Sequence, residues 1–148
     1  MYKHVLIATD GSELAQKGVD HGLALAKVLG ATASIVVVSE LFTGPVLADG
    51  ADIGLMTTAA ELRHELERSA EALLKSVGEQ AERMGVPCET VHVLGVVPAE
   101  GILDTAAKRS CDLIVMASHG RRGIVRLVLG SQTAEVLAGA TTPVLIVR

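Results

Sequence analysis

Between His119 and Ser131 the chain carries three arginines, Arg121, Arg122 and Arg126, and three glycines, Gly120, Gly123 and Gly130, with no acidic residue among them. The chemistry this suits is anion binding. The stretch ends in Gly130-Ser131 at the expected start of a helix, whose first-turn amides lack intrahelical partners and whose dipole adds roughly half a positive charge. Glycine allows the backbone to approach a phosphate closely, and the Ser131 hydroxyl either caps the helix or donates to a phosphate oxygen. A glycine-rich surface turn with solvated arginines and an ordinary serine cap is the plainer reading. Composition alone leaves both open.

Asp10 is the second candidate. It follows the apolar run Val5 to Ala8 within Thr9-Asp10-Gly11-Ser12. A carboxylate there can hydrogen-bond sugar hydroxyls or hold Mg²⁺. It can equally form an Asx turn or cap the following helix, with Ser12 as a rival cap. His119 adjoins the glycine segment and could touch a phosphate, act as a base or orient backbone, but no sequence pattern pairs it with a nucleophile or an orienting carboxylate. His4, His21, His64 and His92 share no metal-ligand spacing, and Cys88 and Cys111 are isolated, so no structural metal and no disulfide is expected. A lysine-containing phosphate loop, a Gly-x-Gly-x-x-Gly fingerprint and a Gly-x-Ser-x-Gly elbow are all missing. Rapid hydrolysis of a bound nucleotide is therefore not expected.

Alternating strands and helices position these groups. Short β-branched or apolar runs at Val5 to Ala8, Ile35 to Val38, Leu113 to Ala117 and Val144 to Val147 read as strands buried on both faces. Thr90 to Leu94 alternates more and reads as a strand nearer an edge. Helical spacing joins Ala15, Val19, Leu23 and Ala26 up to a stop at Gly30. It recurs from Leu62 to Met84, from Pro98 to Ala107, and from about Ser131 to Ala138. Five strands separated by four helices predict an α/β, doubly wound parallel sheet with helices on both faces. Ligands bind such sheets outside the carboxyl ends of the strands, so the loops after strands one, two and four matter most.

With 148 residues, 49% of them hydrophobic and 20% charged, the chain suits one globular domain spanning 1–148. Tyr2 and Phe42 are its only aromatic residues and its net charge is −4. Both features exclude a nucleic-acid binder, which needs stacking rings or a basic surface. No apolar run is long enough for a signal peptide or a membrane span, and the cytoplasm is the expected compartment. The stretch from Leu41 to Gly54 reads as an insertion.

The opening Val5 to Ser12, the strand from Ile35 to Glu40, the stretch from Ile114 to Arg122 leading to Gly130-Ser131, and the closing Pro143 to Val147 together resemble the universal stress protein family. The resemblance runs from Lys3 to Arg148. ATP-binding members carry Gly, two residues, Gly, nine residues, Gly, then Ser or Thr. Gly120, nine residues and Gly130-Ser131 match its second half, and Ala117 stands where the first glycine would be. In ordinary strand geometry at that point, alanine costs little.

The resemblance implies a five-stranded Rossmann-like sheet in the order 3-2-1-4-5. It implies ATP, with Mg²⁺, held above strands one and four. Ala8 and Val38 would offer backbone to the adenine, and Asp10 would lie near the ribose or a phosphate-bound metal. Ala117, Gly120, Arg121, Arg122, Gly130, Ser131, Gln132 and Thr133 would surround ribose and phosphates. A homodimer through the last strand is implied too, and pairing would cover the apolar run Val144 to Val147. Two other readings stay open: a nucleotide-free dimeric interaction protein of the same fold, and a slow ATPase or nucleotidyl transferase using Asp10 as metal ligand.

Overall fold

The computed structural model describes residues 1–41, 59–120 and 129–148. Along the chain run β1 (His4–Ala8), α1 (Glu13–Leu29), β2 (Thr32–Ser39), α2 (Ala59–Met84), β3 (Cys88–Leu94), α3 (Pro98–Lys108), β4 (Leu113–Ala117), α4 (Ser131–Gly139) and β5 (Val144–Val147). The five strands form one sheet in the order β3-β2-β1-β4-β5, and every pairing is parallel. This is the doubly wound arrangement expected, with β3 at an edge.

Strand periodicity divides the core in two. Val5 and Ile7 of β1, Ala33, Ile35 and Val37 of β2, and Leu113 and Val115 of β4 face α1 and α2, where Val19, Leu23, Leu74 and Val77 meet them. The alternate residues Leu6, Ala8, Val36, Ile114 and Met116 face α3 and α4, against Ala99, Ile102, Ala106 and Val136. Both faces are covered, which is why these strands read as continuous apolar runs. Leu6, Ile7, Leu23, Ile35 and Ile114 are fully buried, each stabilising the fold by about 1.5–3 kcal/mol.

β2 begins at Thr32, three residues ahead of the apolar run. Ser34 sits within it, wholly buried, and its hydroxyl is satisfied by His4 Nε2 at 2.8 Å. At the same end of the sheet the Asp112 carboxylate accepts from the amides of Lys3 (2.8 Å) and His4 (3.1 Å), tying the entrance of β1 to that of β4. Gly30, with φ +64°, closes α1 in the left-handed conformation that favours glycine. The charges early in α2 lie on its solvated face, where exposed pairs join Arg63 to Glu67 and Arg68 to Glu65. Both cysteines are free thiols, Cys111 buried and Cys88 half-buried. Among the described residues, no helix is long and apolar enough to cross a membrane.

Candidate functional site

At the carboxyl edge of the sheet, on the α3/α4 side, lies a cavity of about 410 Å³. Its volume is within the roughly 300–1,000 Å³ usual for small-molecule sites. Its floor is built from alternate residues: Ala8 of β1 and Asp10 just beyond it, Val36 and Val38 of β2 and Glu40 just beyond it, and Met116 on β4. Pro98 and Ile102 of α3 form one wall, and Gly130, Ser131, Gln132 and Thr133 form another. Ala117, His119 and Gly120 complete the rim.

The structure thus gathers Ala8, Asp10, Val38, Ala117, Gly120, Gly130, Ser131, Gln132 and Thr133 around one space. Arg121 and Arg122, with Gly123 and Arg126, lie outside the described residues. So does most of the insertion, from Phe42 to Gly54.

Asp10 and Ser12 divide the work that the sequence left open between them. Ser12 is the N-cap of α1, its Oγ accepting from Ala15 N at 3.2 Å. Asp10 forms an Asx turn, Oδ1 accepting from Ser12 N at 2.9 Å, and still lines the cavity. On the far side of that carboxylate is Gly120, where a Cβ would fall 2.5 Å from Asp10 Oδ2. Glycine here is a requirement of close approach, not of backbone angle.

Gly130 is the N-cap of α4, and its amide donates to Ser118 O at 2.9 Å, so the helix starts where β4 ends. A Cβ on Gly130 would sit 3.2 Å from Cα and Cβ of His119. No side chain caps α4, so Ser131 is its first helical residue and not its cap. The N–H groups of Ser131, Gln132 and Thr133, having no intrahelical acceptor ahead of them, border the cavity.

The side chains of Gln132 and Thr133 hold the site together. Gln132 Oε1 accepts from Ala99 N at 2.9 Å, capping the first turn of α3, which has no cap of its own. The buried Thr133 hydroxyl donates to Ala117 O at 3.2 Å. What these two residues leave to the cavity is backbone. Ala117 is the last residue of β4, paired with Val147, and sits in ordinary strand conformation. His119 Nδ1 is 3.1 Å from Ser118 Oγ.

Val38 faces the cavity with backbone as well. Thr9 N donates to Val36 O at 3.0 Å, so Val36 directs its peptide groups toward β1. By the alternation of the ladder Val38 directs its N–H and C=O the same way, but β1 ends opposite Val36. A donor and an acceptor are thereby presented beyond the end of β1. The sequence missed Glu40 as a cavity residue, along with the apolar contributions of Val36, Pro98, Ile102 and Met116. The only signal for Glu40 is parity with Val38 on an extended strand.

Among the described residues no group of three or more potential ligands is poised for a metal. The cavity instead opposes carboxylates at the ends of β1 and β2 to a helix N-terminus, with an aliphatic floor between. That is the geometry of a doubly wound sheet with a ligand crevice at its switch point.

Comparison with known proteins agrees with this fold. The family model described as universal stress protein family matches residues 1–148, and the chain belongs to that family. Universal stress protein MJ0531 of Methanocaldococcus jannaschii is 34% identical over 148 residues, covering 100% of this chain and 83% of its own. The solved structure of MJ0577, another universal stress protein of that organism, superposes with a TM-score of 0.82 at 28% identity, covering 99% of this chain and 96% of that one. A universal stress protein solved in complex with cAMP shares the fold, with a TM-score of 0.72 at 24% identity, covering 99% and 97%.

Proposed function

We propose that this universal stress protein is a cytoplasmic, single-domain adenine-nucleotide sensor. It holds ATP at the carboxyl ends of β1 and β4 and uses occupancy as a signal in the stress response. The observation that carries the reading is the convergence of nine of the expected site residues on one cavity. The triphosphate lies at the N-terminus of α4, where the amides of Ser131, Gln132 and Thr133 and the helix dipole favour an anion. Asp10 receives the ribose hydroxyls or a phosphate-bound Mg²⁺. The adenine edge meets the N–H and C=O of Val38, and its faces pack on Val36, Ile102 and Met116.

No Tyr, Phe or Trp lines the cavity among the described residues, and in this reading affinity rests on the phosphate end. Arg121 and Arg122 add positive charge to that end in this reading. His119 Nδ1 is within hydrogen-bond reach of Ser118 Oγ, but Ser118 is buried and does not line the cavity. Among the described residues no base–nucleophile pair therefore faces the ligand, and turnover is at most slow hydrolysis. A fold relative binds cAMP, which supports adenine as the base. The second copy of a homodimer pairs along β5, covering an edge that is half-exposed.

The test is to denature the purified protein, identify what is released, and titrate ATP with Mg²⁺ into nucleotide-stripped protein by calorimetry. Release of an adenine nucleotide and a saturable heat are expected. No heat at millimolar ATP contradicts the proposal.

A further inference from the structure

Two carboxylates, Asp10 and Glu40, line the cavity on the β1/β2 side, while open helix amides line it on the α4 side. A phosphate beside Glu40 would be repelled while the α4 amides attract it to the opposite wall, so a nucleotide enters in one orientation, its base toward β2 and Asp10 between the two ends. Val38 is fixed there by its seat on α3: a Cβ on Gly101 would fall 2.8 Å from both Val38 methyl carbons. Glu40 stands two residues further along, about 6–7 Å by strand rise, half-buried and on the same face. Among the described residues, none donates a hydrogen bond to Glu40 or pairs with it.

We infer that Glu40 is the base-selecting residue of the cavity, its carboxylate accepting a hydrogen bond from the exocyclic amine of a 6-aminopurine. This rests on the adenine-nucleotide reading. An ionised carboxylate offers acceptors only. A 6-oxopurine presents an oxygen at the same point, so two acceptors would face each other in a partly desolvated space. Sites built to bond one polar group reject the analogue that cannot answer it far more strongly than sites that sense shape alone. Val38 reads the base with one donor and one acceptor, and Glu40 adds a charge that only one base class tolerates.

The experiment compares ATP with inosine triphosphate, which matches ATP in size and phosphates, in calorimetric titrations of the wild type and of Glu40→Gln. A carboxamide can donate as well as accept. The wild type is expected to favour ATP by about tenfold or more, and Glu40→Gln to reduce that ratio by about tenfold. If ATP binds but the ratio is the same in both proteins, this inference is overturned and the site reading stands. If Glu40→Gln weakens both nucleotides equally, Glu40 has a merely structural role and the inference again fails. If neither nucleotide binds the wild type, the site reading falls and takes the inference with it. Circular dichroism melts of both proteins confirm that the variant is folded.

Discussion

The α-carbon of Gly120 lies against the carboxylate of Asp10, so closely that a methyl group there would come within 2.5 Å of Oδ2. That carboxylate is held from its other side by the amide of Ser12 and cannot simply swing away. The rim after β4 and the turn after β1 are thus fitted to each other, and the fit sets where the Asp10 carboxylate stands in the cavity.

Gly120→Ala therefore displaces the Asp10 carboxylate and weakens ATP binding about tenfold, equivalent to about 1.4 kcal/mol. Because Gly120 is exposed, the melting temperature should move little. Titration calorimetry and a thermal melt on the same sample separate the two effects, and a large loss of stability with intact binding contradicts this account.

Gln132 links α4 to α3, and its loss should appear as stability before it appears as affinity. Gln132→Leu leaves the Ala99 amide uncapped, which costs about 1 kcal/mol and lowers Tm by about 2–4 °C for a chain of this size. Gln132→Glu keeps an acceptor oxygen at a helix N-terminus and should restore most of the loss. Differential scanning calorimetry checks both. Equal destabilisation by the two variants rules the cap out as the cause.

The cysteines are predicted to be chemically quiet in the folded protein. Burial pushes both thiols up, from 9.0 to about 11, which cuts the thiolate fraction at neutral pH about 100-fold. Iodoacetamide labelling near pH 7.5 should be correspondingly slow in native protein and fast in urea. Rapid native labelling of either Cys88 or Cys111 contradicts the burial argument.

Acid should weaken the fold partly through Asp112. Desolvation pushes its carboxyl up, but the amides of Lys3 and His4 outweigh that and hold it below the ordinary carboxylate value. With the folded pKa below the unfolded one, the contribution is complete above about pH 4 and fades as pH falls through the folded value. Asp112→Asn should lower Tm at pH 7, and the gap from wild type should narrow below about pH 4. A gap independent of pH assigns Asp112 no role in acid sensitivity.

β1, β2 and β4 were legible because burial on both faces turns them into short apolar runs, β3 announced its edge position by alternating, and β5, the other edge, is an apolar run although half-exposed. The start of β2 was not legible, since Thr32, Ala33 and Ser34 look like the end of a turn. Only the distant His4 makes a buried Ser34 tolerable. The resemblance to the family's glycine motif pointed to Gly120, Gly130 and Ser131, and the structure places all three at the cavity. The Gln132 contact with Ala99 and the placement of Glu40 have no such signature. One spans 33 residues between helices, and the other depends on where β1 stops short of β2. The choice between Asp10 and Ser12 as the cap of α1 also required coordinates, since either side chain can reach a first-turn amide.

The central claim is that the N-terminus of α4 binds the phosphates of an adenine nucleotide. Gly130→Val tests it most directly, since its side chain would press on His119 and fill the space before the first-turn amides. Calorimetric titration of ATP with Mg²⁺ should give a saturable isotherm for the wild type and at least about tenfold weaker binding for a folded Gly130→Val. Equal affinity in the two proteins would contradict the account.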